Sequence, residues 1–312
     1  MAFYLVTGGA GFIGSNLVKA LLERGERVRV FDNFATGKRE NLAEFGNNVE
    51  VHEGDLRDAA ACARAVESVD YVLHQAALGS VPRSVQDPMT SHEVNVTGTL
   101  NMLLAARAAK VKRLVFASSS SVYGNTPTLP KEETMPSHPI SPYAVSKLAA
   151  ERYTLSFNFI YGMETVALRY FNVFGPKQDP DSQYAAVIPR FIMALANGKA
   201  PVIYGDGEQS RDFTFVENVV QANLRACVAP EAPGNVMNVA CGERYSLNLL
   251  VKCLYEIMGT HIPVIYETER SGDVKHSMAA IERASRLLSF APTVKFQEGL
   301  QKTVAWYLSA QK

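Results

Sequence analysis

FYLVTGGAGFIG, residues 3–14, decides the fold. Phe3 to Val6 is a short apolar run that reads as a strand, and Ser15 to Arg24 carries Leu17, Val18, Leu21 and Leu22 at the spacing of one helix face. Gly8, Gly11 and Gly14 make the turn between them, with Phe12 and Ile13 inside it. Beyond Gly25 a second strand, Arg27 to Phe31, ends at Asp32, followed by Asn33. Glycines so placed let backbone approach a pyrophosphate and aim the helix amides at it, while an acid after the second strand can hydrogen-bond an adenosine ribose. A glycine triplet alone often marks only a turn. The strand-to-helix setting and the position of Asp32 point here to a dinucleotide.

Asp32 also repels a 2′-phosphate, which favours NAD over NADP, although Lys38 and Arg39 follow closely and could blunt that preference. Val49 to His52 reads as a third strand ending in Gly54-Asp55-Leu56; Asp55 either approaches the adenine or caps a helix starting near Arg57. A fourth strand begins at Tyr71-Val72-Leu73 and breaks at Gln75-Ala76-Ala77, where small residues admit a cofactor. A helix over about 91–109 and a fifth strand, Arg113 to Ala117, follow. This alternation implies an α/β fold with a doubly wound parallel sheet, whose ligands sit at the carboxyl ends of strands. The serines Ser118 to Ser121 fall at such an end.

Ser141 is a favourable N-cap and Pro142 a favourable first residue, so a helix begins there with Tyr143 in its opening turn and Lys147 one turn along. A free tyrosine has a pKa near ~10, and bringing it to about 7 takes roughly 4 kcal/mol. A lysine cation at roughly 6 Å supplies on the order of 2.8 kcal/mol of that in an effective dielectric of about 20, and the helix N-terminus adds ~0.3–1. Alone, such a pair is ordinary helix decoration; the glycine turn upstream gives it a possible use.

With 312 residues the chain suggests about two domains, and its 47% hydrophobic content is that of a globular protein. Basic and acidic residues both number 31, so no net charge recruits nucleic acid or a membrane surface. Cys62, Cys227, Cys241 and Cys253 are widely spaced and read as reduced thiols. His74 and His138 lack a second ligand at metal-binding spacing, so both read as structural and no metal is expected. The start of the chain lacks a basic leader, and no run approaches the roughly 20 apolar residues that span a bilayer, so a cytoplasmic protein is expected.

In order and separation, the glycine turn, Asn95-Val96-Thr97-Gly98-Thr99, the Tyr143/Lys147 pair and Arg270-Ser271-Gly272-Asp273 resemble the extended short-chain dehydrogenase/reductase family. The loop Gly79 to Ser84 and the segment Leu168 to Gly175 resemble its UDP-hexose 4-epimerase branch, especially enzymes acting on N-acetylated sugars. The resemblance implies an NAD-binding Rossmann domain over 1–170, with return segments around 211–240, and a smaller α/β nucleotide-sugar domain over 171–312. It implies Tyr143 as the base for a C4 hydroxyl, Lys147 as holder of the nicotinamide ribose, and Ser119 as hydrogen-bond partner of the reacting oxygen, helped by Ser120 and Ser121. Gly8, Gly11, Phe12, Ile13, Gly14, Asp32, Asn33, Asp55, Leu56, Gln75, Ala76 and Tyr170 complete the expected cofactor site.

On the UDP-sugar side the resemblance implies Arg83, Asn172, Tyr204, Arg211, Arg270 and Asp273, the two arginines Arg211 and Arg270 holding the diphosphate. Residues 201–207 read as a strand with a tight turn, and 210–213 as its return strand. Ser277, four residues past Asp273, stands where relatives confined to non-acetylated sugars tend to carry tyrosine; it either leaves room for an N-acetyl group or is an ordinary loop serine. Asn95 is expected to be structural. Related dehydratases and decarboxylases carry acids where this chain has serines, which favours simple epimerisation; UDP-glucuronate 4-epimerase or decarboxylase activity is the nearest rival, and a non-catalytic NAD sensor a more distant one. A homodimer through the helices near 91–109 and 142–161 is expected by analogy.

Overall fold

The computed structural model describes residues 1–180, 186–269 and 275–310. Seven parallel strands form one sheet: β1 (Phe3–Thr7), β2 (Arg27–Asp32), β3 (Val49–Glu53), β4 (Tyr71–His74), β5 (Arg113–Ser119), β6 (Thr165–Tyr170) and β7 (Val236–Val239). Their spatial order is β7-β6-β5-β4-β1-β2-β3. The direction of winding reverses between β1 and β4, which opens a crevice at their carboxyl ends.

Every residue of β1, β6 and β7 is buried, as expected for parallel strands covered by helices on both faces. One face carries the Phe12–Glu23 and Val216–Val228 helices, with Leu17, Val18, Leu21 and Val219 in its core. The other carries the Gly98–Ala108 and Pro142–Tyr161 helices over Leu5, Phe116 and Ala167. A separate apolar cluster, including Phe174, Phe191, Phe213, Phe215, Leu250 and Phe296, builds a smaller layer beyond the strand ends.

The first helix starts at Phe12, earlier than its apolar spacing suggested, because helical backbone begins inside the glycine turn. The helical course expected from residue 91 begins at Pro88, where Asp87 accepts from Thr90 N at 3.0 Å, and it contains a π-helical stretch, Glu93–Thr97. The expected hairpin over 201–213 does not form. Val202–Tyr204 pairs in parallel with Ile265–Glu267, and Ser210–Arg211 pairs antiparallel with Tyr245–Ser246. Gly205 and Gly207, at φ 93° and 78°, turn the chain away instead of folding it back. Among the described residues no helix is long and apolar enough to cross a membrane.

Candidate active site

A cleft of about 520 Å³ lies at the β1/β4 switch point. All fourteen residues expected to hold the cofactor line it: Gly8, Gly11, Phe12, Ile13, Gly14, Asp32, Asn33, Asp55, Leu56, Gln75, Ala76, Tyr143, Lys147 and Tyr170. Gly11 caps the first helix without any side chain reaching its opening amides, so their partial positive charge faces the cleft. A Cβ on Gly14 would stand 2.1 Å from Gly8 O, and one on Gly8 2.8 Å from the Ala76 backbone, so only glycine closes this cradle. Uncapped amides beside an acid at the next strand end fit a dinucleotide pyrophosphate and ribose.

Asp32 accepts from Ala10 N at 3.0 Å and Phe34 N at 2.8 Å, and burial raises its pKa while those amides lower it. Its remaining lone pairs face the cleft side. Arg39 is engaged with Glu53 at 2.6 Å and over the Phe34 ring, and Lys38 with Asp179 at 3.1 Å. Both cations that could have welcomed a 2′-phosphate therefore have anionic partners. Asp55 caps no helix; Asp58 does, accepting from Ala60 and Ala61. The Arg57 guanidinium at 2.7 Å and the Asn33 amide hold the Asp55 carboxyl far below its ordinary range.

The Pro142–Tyr161 helix starts as its sequence implies, Ser141 Oγ accepting from Ala144 N at 3.2 Å. A second serine, Ser84, accepts from Tyr143 N at 3.0 Å and donates to Val81 O at 2.7 Å, so the short helix Val81–Gln86, which replaces the loop expected there and carries Arg83, is tied directly to Tyr143. Asn95 bridges Leu78 to Ser146 and is buried, a structural part as expected.

Ser119 Oγ accepts from both Ser121 N at 3.2 Å and Ser121 Oγ at 2.9 Å, and its hydroxyl lies close enough to the Tyr143 phenol to lower its pKa. With its lone pairs taken, Ser119 is left to donate its proton to the phenol oxygen. Ser120 and Ser121 open the short 3₁₀ turn, so Ser121 supports Ser119 from behind. Tyr143 and Lys147 do not behave as the sequence suggested. Burial raises the Tyr143 pKa, with only Ser119 opposing it, and burial pushes Lys147 down to about 7. The desolvation of both groups outweighs the attraction between them in the ligand-free protein.

His74 pairs through Nδ1 with Thr7 Oγ1 at 2.7 Å and through Nε2 with Thr99 Oγ1 at 3.1 Å; burial drives its pKa down to about 3, so it is neutral. Tyr170 joins Gln75 at 3.1 Å and Asn223 at 3.0 Å, a buried triad spanning β4, β6 and the Val216–Val228 helix. Gln75 was legible from a strand end and Tyr170 from the resemblance; Asn223, about 50 residues further on, carries no local signal.

Arg83 also lines the cleft. The other expected substrate residues lie in the smaller layer. Asn172, at φ 33°, bonds Asp212 O, while Gln209 reaches Tyr204 O. Arg211 donates to Ser210 O at 3.0 Å and Lys275 O at 3.2 Å, and Ser277 N donates to Ser210 O at 3.0 Å, so Ser277, distant in sequence, is brought against the short stretch 204–211 that carries Tyr204 and Arg211. Arg270 and Asp273 lie outside the described residues. Asp212 is buried beneath this stretch, accepting from Cys241 N, Gly242 N and Ala279 N. Among the described residues no cluster of His, Cys, Asp or Glu could hold a metal ion.

Residues 4–240 match the NAD-dependent epimerase/dehydratase family. The UDP-glucose 4-epimerase of Mycolicibacterium smegmatis is 38% identical over 307 residues, covering 97% of each chain. Among solved structures, a UDP-N-acetylglucosamine 4-epimerase from Methanobrevibacter ruminantium in complex with UDP-N-acetylmuramic acid superposes with a TM-score of 0.95 at 43% identity, covering 99% of both chains. A Thermus thermophilus UDP-glucose 4-epimerase in complex with NAD superposes with a TM-score of 0.91 at 39% identity, again covering 99% of both.

Proposed function

The chain belongs to the NAD-dependent epimerase/dehydratase family, and on that premise we propose that it inverts C4 of a UDP-hexose, with UDP-N-acetylglucosamine and UDP-glucose as the candidate substrates. The observation that carries this reading is the meeting of Tyr143 and Lys147 with the glycine turn and Asp32 in one cleft, beside a strand end that offers hydroxyls and no carboxylate. NAD, held by the glycine turn and Asp32, supplies a reversible hydride acceptor.

Tyr143 takes the C4 hydroxyl proton, with Ser119 beside the phenol, and returns a proton to the same oxygen once the 4-keto sugar has presented the other face of C4. Because burial disfavours the phenolate, the Lys147 ammonium and the donated Ser119 proton are the groups that stabilise it. Lys147, which also lines the cleft, would hold the nicotinamide ribose. Between the two transfers the 4-keto sugar turns about its bond to the diphosphate, which needs a firm anchor; Arg211, with Arg270, fills that part. Without an acid beside Ser119, no group is placed to eliminate water, so the ketone returns to an alcohol.

Ser277, half-buried next to Ser210, leaves room for an N-acetyl group. The domain division at about residue 170 assigns NAD to the large sheet and UDP to the smaller layer. Exposed Leu104, Val145 and Tyr153 on the two helices support a homodimer, which analytical ultracentrifugation tests. The catalytic reading is tested by incubating the protein with UDP-glucose, UDP-N-acetylglucosamine and UDP-glucuronate and following the anomeric protons by NMR. Interconversion of a C4 pair is expected with at least one of the first two, and no change at C4 with either sinks the proposal. Ser277→Tyr should depress turnover of the N-acetylated sugar far more than that of UDP-glucose; equal losses remove Ser277 from specificity.

A further inference from the structure

Tyr143, Lys147 and Glu151 are spaced four apart on one helix and form a stripe along the face that packs on the sheet. Glu151 has no solvent exposure. Its carboxylate receives Arg169 Nη2 at 2.7 Å, Arg169 Nε at 2.9 Å and Ser118 Oγ at 2.6 Å. Ser118 and Arg169 face each other across β5 and β6, and the next rung of the same ladder joins Ser119 to Tyr170. The carboxylate thus bolts the helix to both strands one rung below Ser119. Arg169 is closed in by the Tyr123 ring at 4.6 Å, and Tyr123 in turn donates to Asn238 at 2.7 Å.

We propose that Glu151 is a positioning residue for the reaction: gripped by Arg169 and Ser118, it sets the depth of the helix so that Tyr143 meets Ser119, and it keeps Lys147 an ammonium. The inference rests on the catalytic reading above. The charged or titratable groups around Lys147 are Tyr143 and Glu151 on its own helix and His74 on β4, with the Phe116 ring of β5 at 4.5 Å. Around Glu151 they are Lys147 and, from β6, Arg169. Neutral His74 leaves Glu151 as the only anion among them. Burial works against the Lys147 cation, and Glu151 is the group that favours it.

The test is Glu151→Gln, which keeps the shape and removes the charge. In protein labelled with carbon-13 at the lysine ε-carbon, with Lys147 assigned through Lys147→Arg, its titration midpoint should fall by about one pH unit. Glu151→Asp, which keeps the charge, should stay near the parent. An unchanged Lys147 midpoint in Glu151→Gln overturns the electrostatic half of the proposal. This titration needs no substrate, so it reads out even if none of the three UDP-sugars is converted. For the positional half, Ser118→Ala removes one strut while leaving the buried ion pair intact, and it serves also where Glu151→Gln does not fold. Its kcat should fall about tenfold with KM nearly unchanged, as misplacement of a reacting group by a fraction of an ångström predicts. Parental kcat in Ser118→Ala overturns that half.

Discussion

The three turn glycines Gly8, Gly11 and Gly14 should fail for three different physical reasons when each is replaced by alanine. At Gly14 a Cβ would stand 2.1 Å from Gly8 O and 2.8 Å from Gly9 Cα. Ordinary contact needs more than 1 Å of retreat, yet the helix it belongs to is pinned by Leu17, Val18 and Leu21, all fully buried. Overpacking against rigid backbone costs about 3–5 kcal/mol at its worst, a loss of roughly 5–15 °C in Tm for a chain of this size. At Gly11 the nearest atom is Gly8 O at 3.2 Å, a contact relieved by a few tenths of an ångström, and the backbone has no positive φ. Gly11→Ala should therefore keep Tm within about 3 °C of the parent, and lose NAD instead, because the new methyl occupies the approach of the pyrophosphate. Gly8→Ala combines a φ of 66° with backbone at 2.8 Å and should lose both. Differential scanning calorimetry, with NAD content per chain measured after denaturation, separates the three. A Gly14→Ala protein with parental Tm, or a Gly11→Ala protein as unstable as Gly14→Ala, refutes the reasoning.

Lys147→Met should abolish turnover, yet stabilise the fold by about 2–4 kcal/mol near pH 7. Lys147 is lowered to about 7 in the fold, so the unfolded chain binds its proton more tightly and stability from this group rises with pH from about 7 to 10; a lower Tm at pH 7 contradicts it. Asp212 shows the opposite sign: burial raises it to about 6, so its stabilising contribution is full below about 4 and is lost as pH rises through about 6. Asp212→Asn should leave one of the three amides unpaired, a loss of about 1–3 kcal/mol at pH 4, and this deficit should shrink by about 2–3 kcal/mol on going to pH 7; a deficit independent of pH in urea titrations rejects the assignment. Asp32→Ser should narrow the preference for NAD over NADP by roughly 10–100-fold, read from cofactor Kd values on nucleotide-free protein, and an unaltered ratio removes Asp32 from discrimination.

What was legible in the sequence is what short-range chemistry decides. The glycine turn, the Ser141-Pro142 helix start and the alternating strands are settled by neighbours within a few residues, so each reading was local. The readings that failed needed distant partners. Val202–Tyr204 was taken with Ser210–Arg211 because the turn between them is close in sequence, but its partner is Ile265–Glu267, about 60 residues away. The support that Ser84 gives Tyr143 crosses a comparable gap, the grip of Arg169 on Glu151 a shorter one of 18 residues, and a lone serine or arginine announces neither. The pKa argument for Tyr143 failed for another reason: spacing reveals the attraction between two charges but not the water each has lost. The expected cofactor positions all line one cleft because the sheet brings its strand ends and the helix starts together there, whereas Asn172, Tyr204, Arg211 and Ser277 are joined by contacts between segments that no periodicity encodes.

The place of β7 beside β6 has a bearing on how the protein is made. β6 ends at Tyr170, and the strand that covers its free edge does not begin until Val236, about 65 residues later. At roughly 5–20 residues per second of synthesis, that edge stays open for about 3–13 s on every ribosome. One face of that strand, Val166, Leu168 and Tyr170, is apolar, and the strand has no bulge or proline to discourage a neighbour. Translation speed across residues 171–236 should therefore matter to yield more than speed elsewhere in the chain. Slowing codons placed there should raise the aggregated fraction, and the same codons placed after Val239 should not.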